Sequence, residues 1–348
     1  MRRWQALFSA GILGAGLIGT VPPSWAPPIP APPQLTAASW IVVDVDSDVV
    51  LAAHNPDEER PMASVTKLMT ALVVRDHASL DDRVRVSATA AGVGESEIGL
   101  IEGEVWSVED LLTAMLVRSG NDAAMALAEH VGGSVDGFAD LMNAKAAELG
   151  LQHSHFTNPH GLDSTNHYSS AADLAVIART VLADPVLAQM VRTRLVKFKA
   201  SPSGAARIVH NTNALLGRYP GVVGMKTGYT GDAGRVLVSA LERSDRTLVA
   251  VVMGSEDHFA DSRELLDWAY RSRSLHDRLL VPLLEEEGGG GFAPGPAELS
   301  PELRIQVATV RPLPDGHEAV TPPEETGGAQ AIREWLRDAL PVILGGAG

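Results

Sequence analysis

The chain has no cysteine among its 348 residues. That absence excludes disulfides, a thiol nucleophile, thiolate metal sites and a lipid-anchored cysteine. No Lys/Arg-rich run follows the first few residues, and the formal net charge is -15. Phosphate neutralisation needs a basic surface, so nucleic acid is not expected as a partner. No internal repeat is found. What remains is 45 % hydrophobic and 20 % charged, the composition of a globular chain with a real core, in one large domain or two modest ones.

The N-terminus points to export. Met1-Arg2-Arg3 is a short positive segment, Ala6 to Val21 is apolar or small, and Ser24-Trp25-Ala26 has the small-x-small pattern of a cleavage site. The apolar run fits a signal-peptide core better than a span of about 20 residues. Residues 1–26 are therefore read as a signal peptide or N-terminal anchor, and 27–37 as a Pro-rich spacer outside the fold. The body of the chain, 38–284, is read as one catalytic domain. Residues 285–348 are read as a Gly/Pro-rich linker and tail. The tail's last helix carries Ile332, Trp335, Leu336 and Leu340 on one face, a stripe that can lie at a membrane surface; packing onto the catalytic domain and plain disorder are the other readings.

Within the body, Trp40–Val45 and Val49–Ala53 read as a hairpin around Asp46-Ser47-Asp48. Val65, Leu68, Met69, Leu72 and Val73 have helical spacing. Residues 107–149 give two helical patterns broken at Gly132-Gly133, and Ser170–Leu182 gives another. Strands resume at Val222–Gly228, Val236–Leu241 and Leu248–Met253, before a closing helix at Glu264–Arg271. Strands at both ends with helices between predict an α/β domain, its sheet built from the two ends, with an inserted helical subdomain.

Three motifs in fixed order carry the chemistry: Ser64-Val65-Thr66-Lys67, Ser119-Gly120-Asn121 and Lys226-Thr227-Gly228. Each alone is weak; the set is not. Ser64 and Lys67 are three apart and share one helix face, a nucleophile beside its base. Lys67 accepts a proton only if its neutral form is accessible, and desolvation and a second cation, Lys226, both favour that. Ser119 is placed to relay a proton to a leaving amine, and Asn121 to bind a substrate amide and orient Lys67. Lys226 and Thr227 offer a charge and a hydroxyl to a terminal carboxylate. Gly228 leaves room for close backbone approach on a strand that pairs with extended peptide. These are the parts of a serine acyl-transferase with lysine as base.

The similarity extends beyond the motifs, to Arg60–Thr70, Val117–Ala124, Asn158–Asp163 leading to His167-Tyr168-Ser169, and Lys226–Thr230. On these residues the chain resembles the low-molecular-weight penicillin-binding proteins that are D-alanyl-D-alanine carboxypeptidases, serine peptidase family S11, over about residues 38–275. The resemblance implies a β-lactamase/DD-peptidase-like fold and removal of terminal D-alanine from peptidoglycan stem peptides ending in D-Ala-D-Ala. It implies β-lactam antibiotics as covalent inhibitors and no cofactor. It also implies that Ser64 forms the acyl-enzyme and Lys67 takes its proton, while Ser119 and Asn121 complete the proton network. Lys226 and Thr227 would hold the carboxylate, and the backbone N–H groups of Ser64 and Tyr229 would form the oxyanion hole. The tail is short for the β-rich second domain of some members, and none is expected here.

Two other readings stand beside this one. A class A-like β-lactamase shares the chemistry but needs a deacylating glutamate, and no E-x-x-L-N pattern lies between Asn121 and Lys226. A non-catalytic cell-wall or penicillin-binding scaffold would lack part of the polar set, and none is missing. His153, His155, His160 and His167 read as solvated loop histidines, with His167 structural, rather than as a metal site.

Overall fold

The computed structural model describes residues 30–198 and 206–285. The leader at 1–26 and the tail beyond 285 lie outside the described residues. Two strands open the fold, β1 (Ser39–Asp44) and β2 (Val49–His54). A 3-10 turn over Ala63–Thr66 runs directly into α1 (Lys67–His77). A small lobe follows: β3 (Arg83–Arg85), α2 (Ala88–Ala91) and β4 (Val105–Ser107). Helices then dominate as α3 (Val108–Arg118), α4 (Asn121–Gly132), α5 (Val135–Glu148), α6 (Ala171–Ala183) and α7 (Pro185–Arg192). A ribbon of β5 (Leu195–Phe198) and β6 (Arg207–His210) precedes the meander β7 (Val222–Thr230), β8 (Gly234–Glu242) and β9 (Thr247–Ser255). Helix α8 (His258–Glu285) closes the described chain.

The main sheet has the order β2-β1-β9-β8-β7 and is antiparallel throughout. Strand β1 pairs with β9 from Ser39 opposite Met253 to Asp44 opposite Leu248, so the two ends of the domain do build one sheet. Alternation decides the layers. Ile41, Val238, Val249 and Val251 face the core shared with α1 and α6, whereas Trp40, Val42, Leu237, Ala250 and Val252 face Leu265, Leu266 and Ala269 of α8. Burying each such Leu or Val contributes roughly 1.5–3 kcal/mol, and helices cover both sheet faces. Strand β7 is left as an edge.

The helices start where short polar side chains can accept their first amides. Ser107 accepts from Asp110 N, Ser134 from Gly137 N and Ser170 from Asp173 N. Asp184 accepts from Val186 N and Leu187 N at the start of α7, with Pro185 at its first position.

Several expectations need adjustment. The stretch 107–149 holds three helices, because Ser119-Gly120 ends one before Gly132-Gly133 ends the next. The closing helix is longer than Glu264–Arg271, and α7, β5 and β6 were not expected. From Pro30 onward, the residues read as spacer lie against α8. Trp268 Nε1 donates to Pro30 O at 2.8 Å, Thr36 Oγ1 donates to Asp261 Oδ2 at 2.7 Å, and Leu35 joins the α8 core.

Candidate active site

The nucleophile turn is built before the helix proper. Ala63 has φ 48°, a left-handed value that costs a non-glycine residue roughly 1–2 kcal/mol. Thr66 holds this turn: its Oγ1 donates to Ala63 O at 2.8 Å. The same oxygen lies 2.8 Å from His167 Nε2, and with its proton committed to Ala63 it accepts from that nitrogen. His167 Nδ1 in turn accepts from Thr157 N at 3.0 Å. The imidazole is therefore the neutral Nε2–H tautomer, and burial first among causes takes its pKa down to about 4.

Lys67 begins α1 fully buried, among the largest wholly buried side chains in the fold. Its Nζ donates to Ser64 Oγ at 2.8 Å, Asn121 Oδ1 at 2.8 Å and His160 O at 2.6 Å. Three acceptors saturate an ammonium, yet none of them is charged. Burial and, second, the charge of Lys226 pull its pKa well below the usual lysine value; Asp122 and Glu95 oppose this more weakly. Ser119 Oγ is not among the partners of Lys67. Ser119 caps α3 at φ 70°, ψ 28° and is buried, so the turn that ends α3 sets it beside the first residue of α4.

Two loops hold these groups in place. Asn121 Nδ2 donates to Gly94 O and Asn121 N donates to Ser96 O, while the buried Asp122 carboxylate accepts from Ile98 N and Leu100 N. The 94–100 loop is thereby fastened to the start of α4. On the opposite side Thr70 Oγ1 donates to Pro159 O at 2.6 Å, and Asn158 Oδ1 accepts from Gly161 N at 2.7 Å. These bonds present His160 O to Lys67. Gly161 sits at φ 87°, and a Cβ there would lie 1.9 Å from Ala63 O, so only glycine fits.

Edge strand β7 supplies the third motif. Lys226 is buried, its Nζ donates to Thr227 O at 2.8 Å, and burial lowers its pKa to about 7. Thr227 Oγ1 lies 2.7 Å from Thr212 Oγ1. A Cβ on Gly228 would meet Ala63 Cβ at 2.9 Å, Met62 O at 3.0 Å and Ser64 N at 3.1 Å. The close approach that Gly228 permits is thus to the nucleophile turn itself. Tyr229 has a side chain 69 % exposed, with the Arg235 guanidinium 5.9 Å from its ring centroid.

The structure therefore gathers the three motifs around Lys67 and Ser64, while Tyr229 projects outward. Sequence reasoning missed Thr212, the His167–Thr66–Ala63 chain and the carbonyl of His160. It also took His160 with the solvated histidines, and His160 is buried; His167, read as structural, is buried too. His160 Nδ1 accepts from Leu162 N at 3.2 Å, and burial takes its pKa to about 3.

The family model for D-alanyl-D-alanine carboxypeptidase, peptidase S11, matches residues 27–257. The chain belongs to that family. Among its relatives, D-alanyl-D-alanine carboxypeptidase DacB2 of Mycobacterium tuberculosis is 38 % identical over 72 % of this chain and 87 % of its own length. D-alanyl-D-alanine carboxypeptidase DacF of Bacillus subtilis is 36 % identical over 69 % of this chain; the match spans 64 % of that relative, just under two thirds. The crystal structure of a D-alanyl-D-alanine carboxypeptidase from M. tuberculosis H37Rv has a TM-score of 0.65 at 37 % identity, covering 72 % of this chain and 96 % of the other. The Streptomyces K15 DD-transpeptidase has a TM-score of 0.66 at 28 % identity, covering 69 % of this chain and 99 % of that one. The expected DD-peptidase-like fold is the one observed.

Proposed function

We propose that this member of the S11 family is a serine-type carboxypeptidase that removes the terminal D-alanine from peptidoglycan stem peptides ending in D-Ala-D-Ala. The observation that carries the reading is the 2.8 Å contact of Lys67 Nζ with Ser64 Oγ in a buried site without a bonded carboxylate. There the neutral amine is accessible and its lone pair faces the hydroxyl.

The peptide lies along edge strand β7 as an added strand, its terminal carboxylate at Lys226 and Thr227. The carboxylate restores the charge of Lys226, whose ammonium burial alone disfavours. Ser64 Oγ attacks the penultimate carbonyl carbon and its proton passes to Lys67 Nζ. The oxyanion draws on the backbone N–H groups of Ser64 and Tyr229. The C–N bond then breaks as Ser119 relays the proton, giving its own to the departing D-alanine amine and taking one from Lys67, which leaves the lysine neutral for the second half. Water attacks the ester in the second half, giving its proton to Lys67 and restoring Ser64. Asn121 keeps Lys67 in place and binds the substrate amide.

Penicillins enter as acyl donors to Ser64 whose ring-opened product stays attached. The residues before the fold act as an export signal or anchor, so that the enzyme works outside the cytoplasm on the cell wall. Residues 38–284 form its catalytic domain, and the tail is dispensable for chemistry. Incubation with an acylated Lys-D-Ala-D-Ala peptide tests the activity: D-alanine is released catalytically, and a preparation that binds penicillin yet releases none is a scaffold instead.

A further inference from the structure

Asp122 and Glu95 both act electrostatically on Lys67, and they are held very differently. Asp122 is buried, and its carboxylate accepts from Ile98 N, Leu100 N and Ala123 N. Glu95 is exposed and makes no hydrogen bond or ion pair among the described residues. The chemistry of acyl transfer gives it no part.

Its backbone is nevertheless fixed by the site itself. Gly94 O accepts from Asn121 Nδ2 at 3.1 Å and Ser96 O from Asn121 N at 2.6 Å, so Asn121 grips the loop on either side of Glu95. Ser96 Oγ adds a bond to Arg118 O at 3.1 Å. Within that grip Glu95 has φ 60°, directly after Gly94 at φ 78°. Glycine adopts the left-handed region freely, whereas a glutamate there is uncommon and strained. The loop thus carries a charged side chain where glycine would be the easier residue, and no group among the described residues pairs with the charge. Strain held at such a point of a cleft suggests a use for the side chain.

An exposed carboxylate without a partner, anchored through the residue that orients the base, is complementary to a cation that arrives with the substrate. Its neighbour Asn121 says which part of the substrate carries that cation. A departing D-alanine has no amide beyond the one being cut, so an intact amide bound by Asn121 belongs to the acyl part. Glu95, in the loop that Asn121 grips, lies on that side. We propose that Glu95 reads a primary ammonium on the acyl part, the free side-chain amine of the diamino acid that precedes D-Ala-D-Ala. This rests on the carboxypeptidase reading, with Asn121 on the substrate amide. The enzyme then prefers stems whose side-chain amine is still free, and any reaction that acylates that amine removes its preferred substrate.

Two peptides test this: Nα-acetyl-Lys-D-Ala-D-Ala with its side-chain amine free, and the same peptide with that amine acetylated. The wild-type enzyme should favour the free amine by about tenfold in kcat/KM, chiefly through KM. That preference should shrink as salt rises. In Glu95→Gln the ratio should fall to near one, in Glu95→Lys it should drop below one, and Glu95→Asp should keep part of it. Removing a carboxylate near Lys67 acts on both peptides alike and cancels in the ratio, and acylation of Ser64 by penicillin shows that the variants are folded. Glu97→Gln, the same charge change two residues along the loop, should leave the ratio as it is. A wild-type ratio near one, a ratio that Glu95→Gln retains, or an equal loss in Glu97→Gln overturns the role of Glu95, while D-alanine release leaves the carboxypeptidase standing. Failure of the wild type to release D-alanine from either peptide overturns the underlying reading and this one with it.

Discussion

Lys67 stands 2.8 Å from the Ser64 hydroxyl, and the strongest charge acting on it belongs to another lysine, Lys226. A base is made here by withholding what normally keeps lysine protonated: water is excluded and no carboxylate is bonded to it. The same withholding divides the two lysines by role. Lys67 works without its proton, Lys226 with it.

That division separates two conservative variants. Lys67→Arg keeps the charge but puts a guanidinium, which does not deprotonate in proteins, where the base must be. Acylation by penicillin should fall by about 10³-fold or more. Lys226→Arg should retain measurable activity, because there the charge itself is used. Stopped-flow acylation of both variants checks this; equal losses would contradict the assignment.

Lys226 also gives stability a pH signature. Its pKa falls from 10.5 to about 7 on folding, so between those values the unfolded chain holds a proton that the folded one has lost. Stability then rises with pH across that window. Lys226→Met removes the cost of the buried ammonium, so the variant should be more stable than wild type below pH 7. The advantage should shrink towards pH 10 in urea titrations. A constant difference at all pH values would show that the ammonium pays no burial cost.

His167 gives a pH dependence of the same sign in a lower window. With its folded pKa at about 4, against an ordinary value of 6.5, the fold loses stability as pH falls between those values. His167→Ala removes the donor to Thr66 and should destabilise by about 1–3 kcal/mol, with slower acylation as the Ala63–Ser64 turn loosens. His167→Gln, which restores a donor, should recover part of both. Acylation and stability unchanged in His167→Ala would remove His167 from the support of the nucleophile.

Gly228→Ala places a methyl against Ala63, Met62 and Ser64. The edge strand must move off the nucleophile turn, at a cost of about 1–3 kcal/mol in stability. Because catalysis depends on ångström-level placement, kcat/KM should fall by about 10²-fold. Activity within twofold of wild type would mean that strand and nucleophile turn are not rigidly matched.

The parts of the site legible in the sequence are those with local spacing. Ser64 and Lys67 are one helical turn apart, and Ser119 and Asn121 flank a helix break, so each pair is brought together by its own segment. The β1–β2 hairpin and the β7–β9 meander were legible for the same reason, through period-two alternation. What was hidden depends on packing between distant segments. His167 reaches Thr66 across 101 positions, and Thr212 reaches Thr227 from a stretch with no strand or helix pattern of its own. Helix α7 is only eight residues long, and β5 and β6 are four residues each, too short for periodicity to register. Among the histidines of the 153–167 region His167 was set apart as structural, whereas only burial separates His160 from His153 and His155.

The central claim is that Ser64, activated by Lys67, is the residue that is acylated. The most direct measurement is the intact mass of the protein after incubation with penicillin, on wild type and Ser64→Ala. A single adduct on the wild type, absent from Ser64→Ala and mapped to the peptide containing Ser64, is the predicted result. An adduct that persists on Ser64→Ala, or a wild type that consumes many equivalents of penicillin without accumulating one, would contradict it.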